Sequence, residues 1–81
     1  MHDPKDIEAT KILRRELIKH YIDSSLADVR VAHGVATIRG PLSMMPGGTG
    51  SCRESVEKVA HHIRGLGNIR EVILDVNYRN E

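Results

Sequence analysis

Residues 28–42, Asp28-Val29-Arg30-Val31-Ala32-His33-Gly34-Val35-Ala36-Thr37-Ile38-Arg39-Gly40-Pro41-Leu42, decide the fold. Val29 and Val31 alternate with Asp28 and Arg30, and Ala36 and Ile38 alternate with Thr37 and Arg39. A period of two sends the apolar set to one side of a strand and the polar set to the other, so the stretch reads as a hairpin with one wet face. Gly34 supplies the positive φ of a tight turn, and His33 is of a type that tolerates that region. Pro41 has no N–H to give to a ladder, so the second strand is expected to end near Gly40.

Upstream of the hairpin, Asp3 can accept from early backbone N–H groups while Pro4 occupies the first helical position, which predicts a helix start there. Leu13, Leu17 and Tyr21 recur every four residues, and Ile7, Ile18 and Ile22 widen the stripe into one broad buried face. Ile12 falls off that stripe. Asp23-Ser24-Ser25 reads as the break before the hairpin.

Downstream, residues 43–50 hold three glycines and Pro46, which opposes regular structure and predicts a mobile loop. Ser51-Cys52-Arg53-Glu54 then fits a capping box, and Val56, Val59, Ala60 and Ile63 fall at i, i+3, i+4 and i+7 of a second helix. Gly65 is placed to end it in the left-handed conformation, with Leu66 folding back on the last turn. After a Gly67-Asn68 turn, Val72, Leu74, Val76 and Tyr78 alternate with Ile73, Asp75, Asn77 and Arg79, a third half-buried strand.

The order α-β-β-α-β, with amphipathic helices and one-sided strands, predicts an α+β fold: a three-stranded mixed sheet with both helices packed on one face. The outer face then carries Arg30, Thr37, Arg39, Asp75, Asn77 and Arg79. With 81 residues, the chain is read as a single domain over 1–81, its core within about 5–78. Phe and Trp are absent, so that core must be aliphatic.

Formal charge is only +1 and the basic and acidic residues are evenly mixed, which argues against a nucleic-acid surface. Cys52 is the only cysteine, so no internal disulfide forms and the redox compartment is not indicated. No apolar run nears the roughly 20 residues of a membrane span, and Met1 to Asp6 lacks the apolar segment of a signal peptide. As written, the chain reads as soluble and cytoplasmic; as an excised piece of a precursor, it would fit the periplasm equally.

Val31, Gly34, Val35, Thr37, Ile38, Gly40 and Leu42, followed by Val59-Ala60, Ile63, a glycine and a strand over Val72 to Val76, resemble the pattern of the BON domain, the bacterial osmotic-stress and nodulation domain. The resemblance covers about residues 26 to 78, and the leading helix also suits it. Met44 to Gly50 is longer and richer in glycine than the family's connection, and Gly65-Leu66-Gly67-Asn68-Ile69 carries one extra residue. The resemblance implies a non-enzymatic module that contacts phospholipid or cell-envelope components, often within stress proteins, channels and secretins. It brings no catalytic residues, cofactor or metal.

Among candidate sites, Gly47-Gly48-Thr49-Gly50-Ser51 leads into the second helix with Arg53 in its first turn. Backbone N–H groups, the positive helix end and a guanidinium are a combination that can hold a phosphate or lipid head group. A glycine linker capped by Ser51 explains the same residues. Gly47 to Gly50 also fit the Gly-x-x-Gly of KH domains, yet that loop joins two helices and this one leaves a strand.

Cys52 stands four residues before Val56 on the apolar stripe, which favours a partly buried small hydrophobe over a thiolate nucleophile. The histidines at 2, 20, 33, 61 and 62 lack zinc-ligand spacing, and His61 and His62 diverge by about 100° around a helix. Arg30, Arg39 and Arg79 form a candidate patch on the outer sheet face. The sequence therefore points to a lipid- or envelope-binding module with no enzymatic activity, and alternatively to a protein-interaction or oligomerisation module without a small ligand.

Overall fold

The hairpin forms as its alternation requires. Strands that pair Ala32 with Val35 leave His33 and Gly34 as a two-residue turn, with φ of 53° and 79°. Positive φ at both positions matches the right-handed twist of the strands it joins. A side chain at Gly34 would also come within 2.7 Å of the Asn68 carbonyl oxygen.

The computed structural model describes residues 3–66 and 68–79. In chain order it contains α1 (Pro4–Lys19), β1 (Ile22–Asp23), β2 (Asp28–Ala32), β3 (Val35–Met44), α2 (Cys52–Ile63) and β4 (Glu71–Tyr78). Strand β3 is the axis of the sheet. It pairs antiparallel with β2, antiparallel with β1 at its far end, and parallel with β4, which returns after the α2 crossover. The fold is α+β with a mixed sheet. Both helices bury residues in one core with Val29, Val31, Ala36, Ile38 and Leu42 from one sheet face.

Four strands replace the three expected, because Ile22 and Asp23, placed beside the predicted break, pair with Met44 and Ser43. That pairing exists because β3 does not stop at Gly40. The Leu42 carbonyl accepts from the Arg79 N–H at 2.8 Å, so even-numbered residues of β3 turn their backbone groups to β4 and odd-numbered ones turn away. Pro41 therefore lacks its donor on the side where β2 has already ended at Asp28, and no ladder bond is lost. Gly40, at φ 120°, lets the backbone pass Ala27 where a Cβ would sit 3.1 Å from its Cα.

The helices start as read: Asp3 accepts from the Lys5 N–H at 2.8 Å and Ser51 from the Glu54 N–H at 3.1 Å. The buried face of α2 is Cys52, Val56, Val59, Ala60 and Ile63. Its C-terminus differs from expectation, because Gly65 is not left-handed; the N–H groups of Gly65 and Leu66 instead close short turns onto His62 and Ile63. Leu66 does pack on the core. Gly67, half of the expected turn with Asn68, lies outside the described residues.

The buried face of α1 also differs. It is Ala9, Leu13, Glu16 and Leu17, whereas Ile7 and Ile18 are exposed, Ile12 is half-buried and Tyr21 lies beyond the helix. Ile22 is buried, but from β1. The helix is rotated so that its Asp6, Thr10 and Arg14 flank lies along β2, which takes Ile7 and Ile18 out of the core.

Candidate functional site

The residues of the predicted anion loop are adjacent, and much of their bonding capacity is used internally. Gly48 donates to the Met45 carbonyl at 3.1 Å, and the Ser51 hydroxyl is occupied as the helix cap. Gly47 and Gly48 pack on Tyr21: a Cβ at Gly48 would lie 2.8 Å from Tyr21 Cβ and 2.5 Å from Met44 Cε. Met45 donates to the Tyr21 carbonyl at 2.7 Å, which further ties the segment down. Residues 43 and 44 belong to β3, so the irregular segment is shorter than read. Thr49 and Gly50 are the exposed tip, and the Arg53 guanidinium lies 4.6 Å from the centre of the Tyr78 ring.

The outer sheet face carries the three arginines of the candidate patch, but not as a block of free positive charge. Arg30 pairs with Asp28 at 2.7 Å and Arg39 with Asp75 at 3.3 Å, all four exposed. Arg79 stands near Asp23. The Asp23 carboxyl is held below the usual carboxylate range, first by the Ser25 backbone N–H, then by the Ser25 hydroxyl, with a smaller contribution from Arg79.

Cys52 is buried in the core, as its place on the stripe indicates. Glu16, 8% exposed, faces Lys19 at 3.7 Å, His62 at 3.6 Å and His20 at 4.0 Å, which links α1 to α2. Among the described residues, no group of three or more His, Cys, Asp and Glu side chains is placed to hold a metal ion. No helix there is long and apolar enough to cross a membrane.

The sheet edges carry more information than these clusters, and sequence reasoning did not reach them. Odd-numbered residues of β2 direct their backbone groups away from β3, toward α1. There the His33 N–H donates to Asp6 at 3.1 Å, the Val31 N–H to the Thr10 hydroxyl at 3.0 Å, and the Val29 carbonyl accepts from Arg14 at 3.4 Å. The Thr10 hydroxyl in turn donates to the Asp6 backbone carbonyl at 2.8 Å. Asp6, Thr10 and Arg14, four residues apart, form a polar ladder that takes the place of a neighbouring strand. A groove of about 530 Å³ runs along this junction, lined by Ile7, Lys11 and the β2 residues.

At the opposite edge, among the described residues, β4 pairs only with β3. The N–H groups of Glu71 and Arg79 donate to β3 and its turn, at 3.4 Å to Gly34 and 2.8 Å to Leu42. The backbone groups of Val72, Leu74 and Val76 consequently point outward. Leu74 was expected inside, and its register beside Ile38 puts it on the core face, yet it is 36% exposed because no further strand among the described residues covers that edge. Ile73, beside Thr37 on the outer face, is 44% exposed. The signal in the sequence was the unbroken Val72-Ile73-Leu74, apolar on both faces of a strand.

Compared with known proteins, the chain matches no family model, no curated protein and no solved structure.

Proposed function

We propose that the chain is a non-enzymatic, BON-like binding module that works by protein–protein contact, taking a partner's extended segment as an added strand on β4. The observation that carries this reading is the outward ladder of Val72, Leu74 and Val76 on an eight-residue strand. Sheets normally blunt such an edge with brevity, proline, charged side chains, a bulge or a cover, and of these β4 carries only the charges of Glu71 and Asp75. Strand β4 is long, contains neither proline nor glycine, and leaves Ile73 and Leu74 exposed on opposite faces. Strand addition uses main-chain hydrogen bonds for affinity and alternate side chains for choice of partner.

The test is a heteronuclear NMR titration with a library of extended peptides of alternating polarity. Shifts confined to Val72, Leu74, Val76 and their neighbours are the expected result. Silence at those amides at every peptide concentration sinks the reading.

A second reading, contact with a phospholipid head group or other envelope component, is favoured by one feature: the exposed Thr49-Gly50 tip beside the start of α2, with Arg53 in the first turn. Anionic vesicles added to the same sample would then shift Thr49 to Arg53, and Arg53→Ala would abolish the effect. Gly48→Ala is the weaker probe, because its Cβ meets Tyr21 and disturbs the loop by itself.

A further inference from the structure

We propose that the segment received by β4 is β4 of a second copy of this chain, paired antiparallel about a two-fold axis through Asp75. The proposal rests on the reading of β4 as the working edge and adds the identity of the partner and the register.

Geometry restricts the register first. The outward backbone groups belong to even-numbered residues, and an antiparallel ladder bonds residues that both turn their backbone groups to the partner. Even residues must therefore meet even residues, which keeps the core faces of both copies on the same side of one continuous sheet.

Charge then selects among the allowed registers. With Asp75 on the axis, Glu71 of each copy faces Arg79 of the other, so opposite charges meet at both ends of the paired segment. Both residues are exposed; Glu71 stands on the outer face with Ile73, Asp75 and Asn77, and Arg79 follows one residue beyond β4 in the same alternation. Centring on Leu74 or on Val76 instead leaves Glu71 and Arg79 apart and sets Ile73 against Asp75 or Arg79, and centring on Asn77 opposes Asp75 and Arg79 but keeps only residues 76–78 of each strand paired. On the core side, the chosen register has Leu74 and Val76 exchanging backbone hydrogen bonds across the axis, so exposed Leu74 is covered by its copy's Val76. The two Asp75 carboxylates face each other at the centre. Each is tied to Arg39 of its own chain at 3.3 Å, which places the charges in the order Arg39, Asp75, Asp75, Arg39 across the joined sheets. Directly opposed like charges weaken a pair, so this contact is the one unfavourable element of the register.

Sedimentation velocity over a dilution series of the full chain reads the association, and four variants read the register. Arg79→Glu and Glu71→Arg each create two like-charge pairs and are expected to weaken association roughly tenfold or more. The double variant carrying both restores it, because the charges are exchanged but remain opposed. Asp75→Asn tightens it severalfold by removing the central repulsion.

A chain that stays monomeric at every concentration overturns the proposal, as does a double variant that associates no better than the single ones. If the monomer's Val72, Leu74 and Val76 amides still respond to the peptide library, only self-pairing is refuted. If they respond to neither a second copy nor any peptide, the reading of the edge fails with it.

Discussion

The two edges of this sheet are built from similar strands and finished in opposite ways. At β2, α1 lies alongside, and Asp6, Thr10 and Arg14 bond to the outward groups of His33, Val31 and Val29. At β4, the outward groups of Val72, Leu74 and Val76 meet no strand among the described residues. A strand edge is thus closed by whatever satisfies its donors and acceptors, and three side chains on a helix do this without a further strand. One edge is spent on stability, and the other is the one we propose for recognition.

The largest effect is expected where both edges depend on one residue. Gly34 completes the turn between β2 and β3, and its carbonyl accepts from the Arg70 N–H at 2.8 Å where the chain enters β4. Gly34→Ala forces an alanine to positive φ against the Asn68 carbonyl, and urea denaturation should register a loss of about 2 kcal/mol or more. Next comes the closed edge. Thr10→Val leaves the part-buried Val31 N–H without its acceptor, at a cost of about 1–2 kcal/mol, and faster hydrogen exchange at Val31 is the specific readout. If the ladder is what closes this edge, the same variant also binds extended peptides along β2.

At the open edge the sign of the comparison reverses. Leu74→Lys replaces a core-face apolar side chain that is 36% exposed by one whose aliphatic stem covers the same surface, so stability should fall by no more than about 1 kcal/mol while the response to strand-like partners disappears. A fall in stability as large as that of Thr10→Val would mean that Leu74 is core and the edge is not open.

The smallest effect belongs to Asp23, in β1 beneath the loop that joins the two antiparallel partners of β3. Folding holds its carboxyl below the ordinary value of 3.8, chiefly through Ser25. A group with a depressed folded pKa stabilises the fold fully above its unfolded pKa and loses that contribution as pH falls through the folded one. The stability difference between the protein and Asp23→Asn should therefore be constant near neutrality and shrink in acid, below the ordinary carboxylate range. A difference that grows in acid would have the wrong sign.

Much of this architecture is legible in the residues themselves. The hairpin, the Asp3 and Ser51 caps, the α2 stripe and the burial of Cys52 follow from local periodicity and capping chemistry, and all appear where read. The misses share one cause. Ile7 and Ile18 look as apolar as Leu13 and Leu17, and only the docking of the Thr10 flank on β2 decides which side of α1 is buried. Pro41 should end a strand, and it is tolerated only because its missing donor falls in the gap between β2 and β1. The candidate loop was legible as a position, and so was the use of Ser51 as a cap; that Tyr21 supports the loop was not, because Tyr21 is remote in sequence.

What the sequence determined by itself is local: which segments are helix or strand, where they begin, and which turn needs Gly34. These depend on side-chain period, caps and backbone freedom within a few residues. The tertiary structure alone decided which backbone groups still face outward, because a strand edge is a relation between elements. Val31 and Leu74 sit in strands of much the same grammar, and only the arrival of α1 beside one, and of no strand or helix among the described residues beside the other's outer edge, separates a sealed edge from an open one.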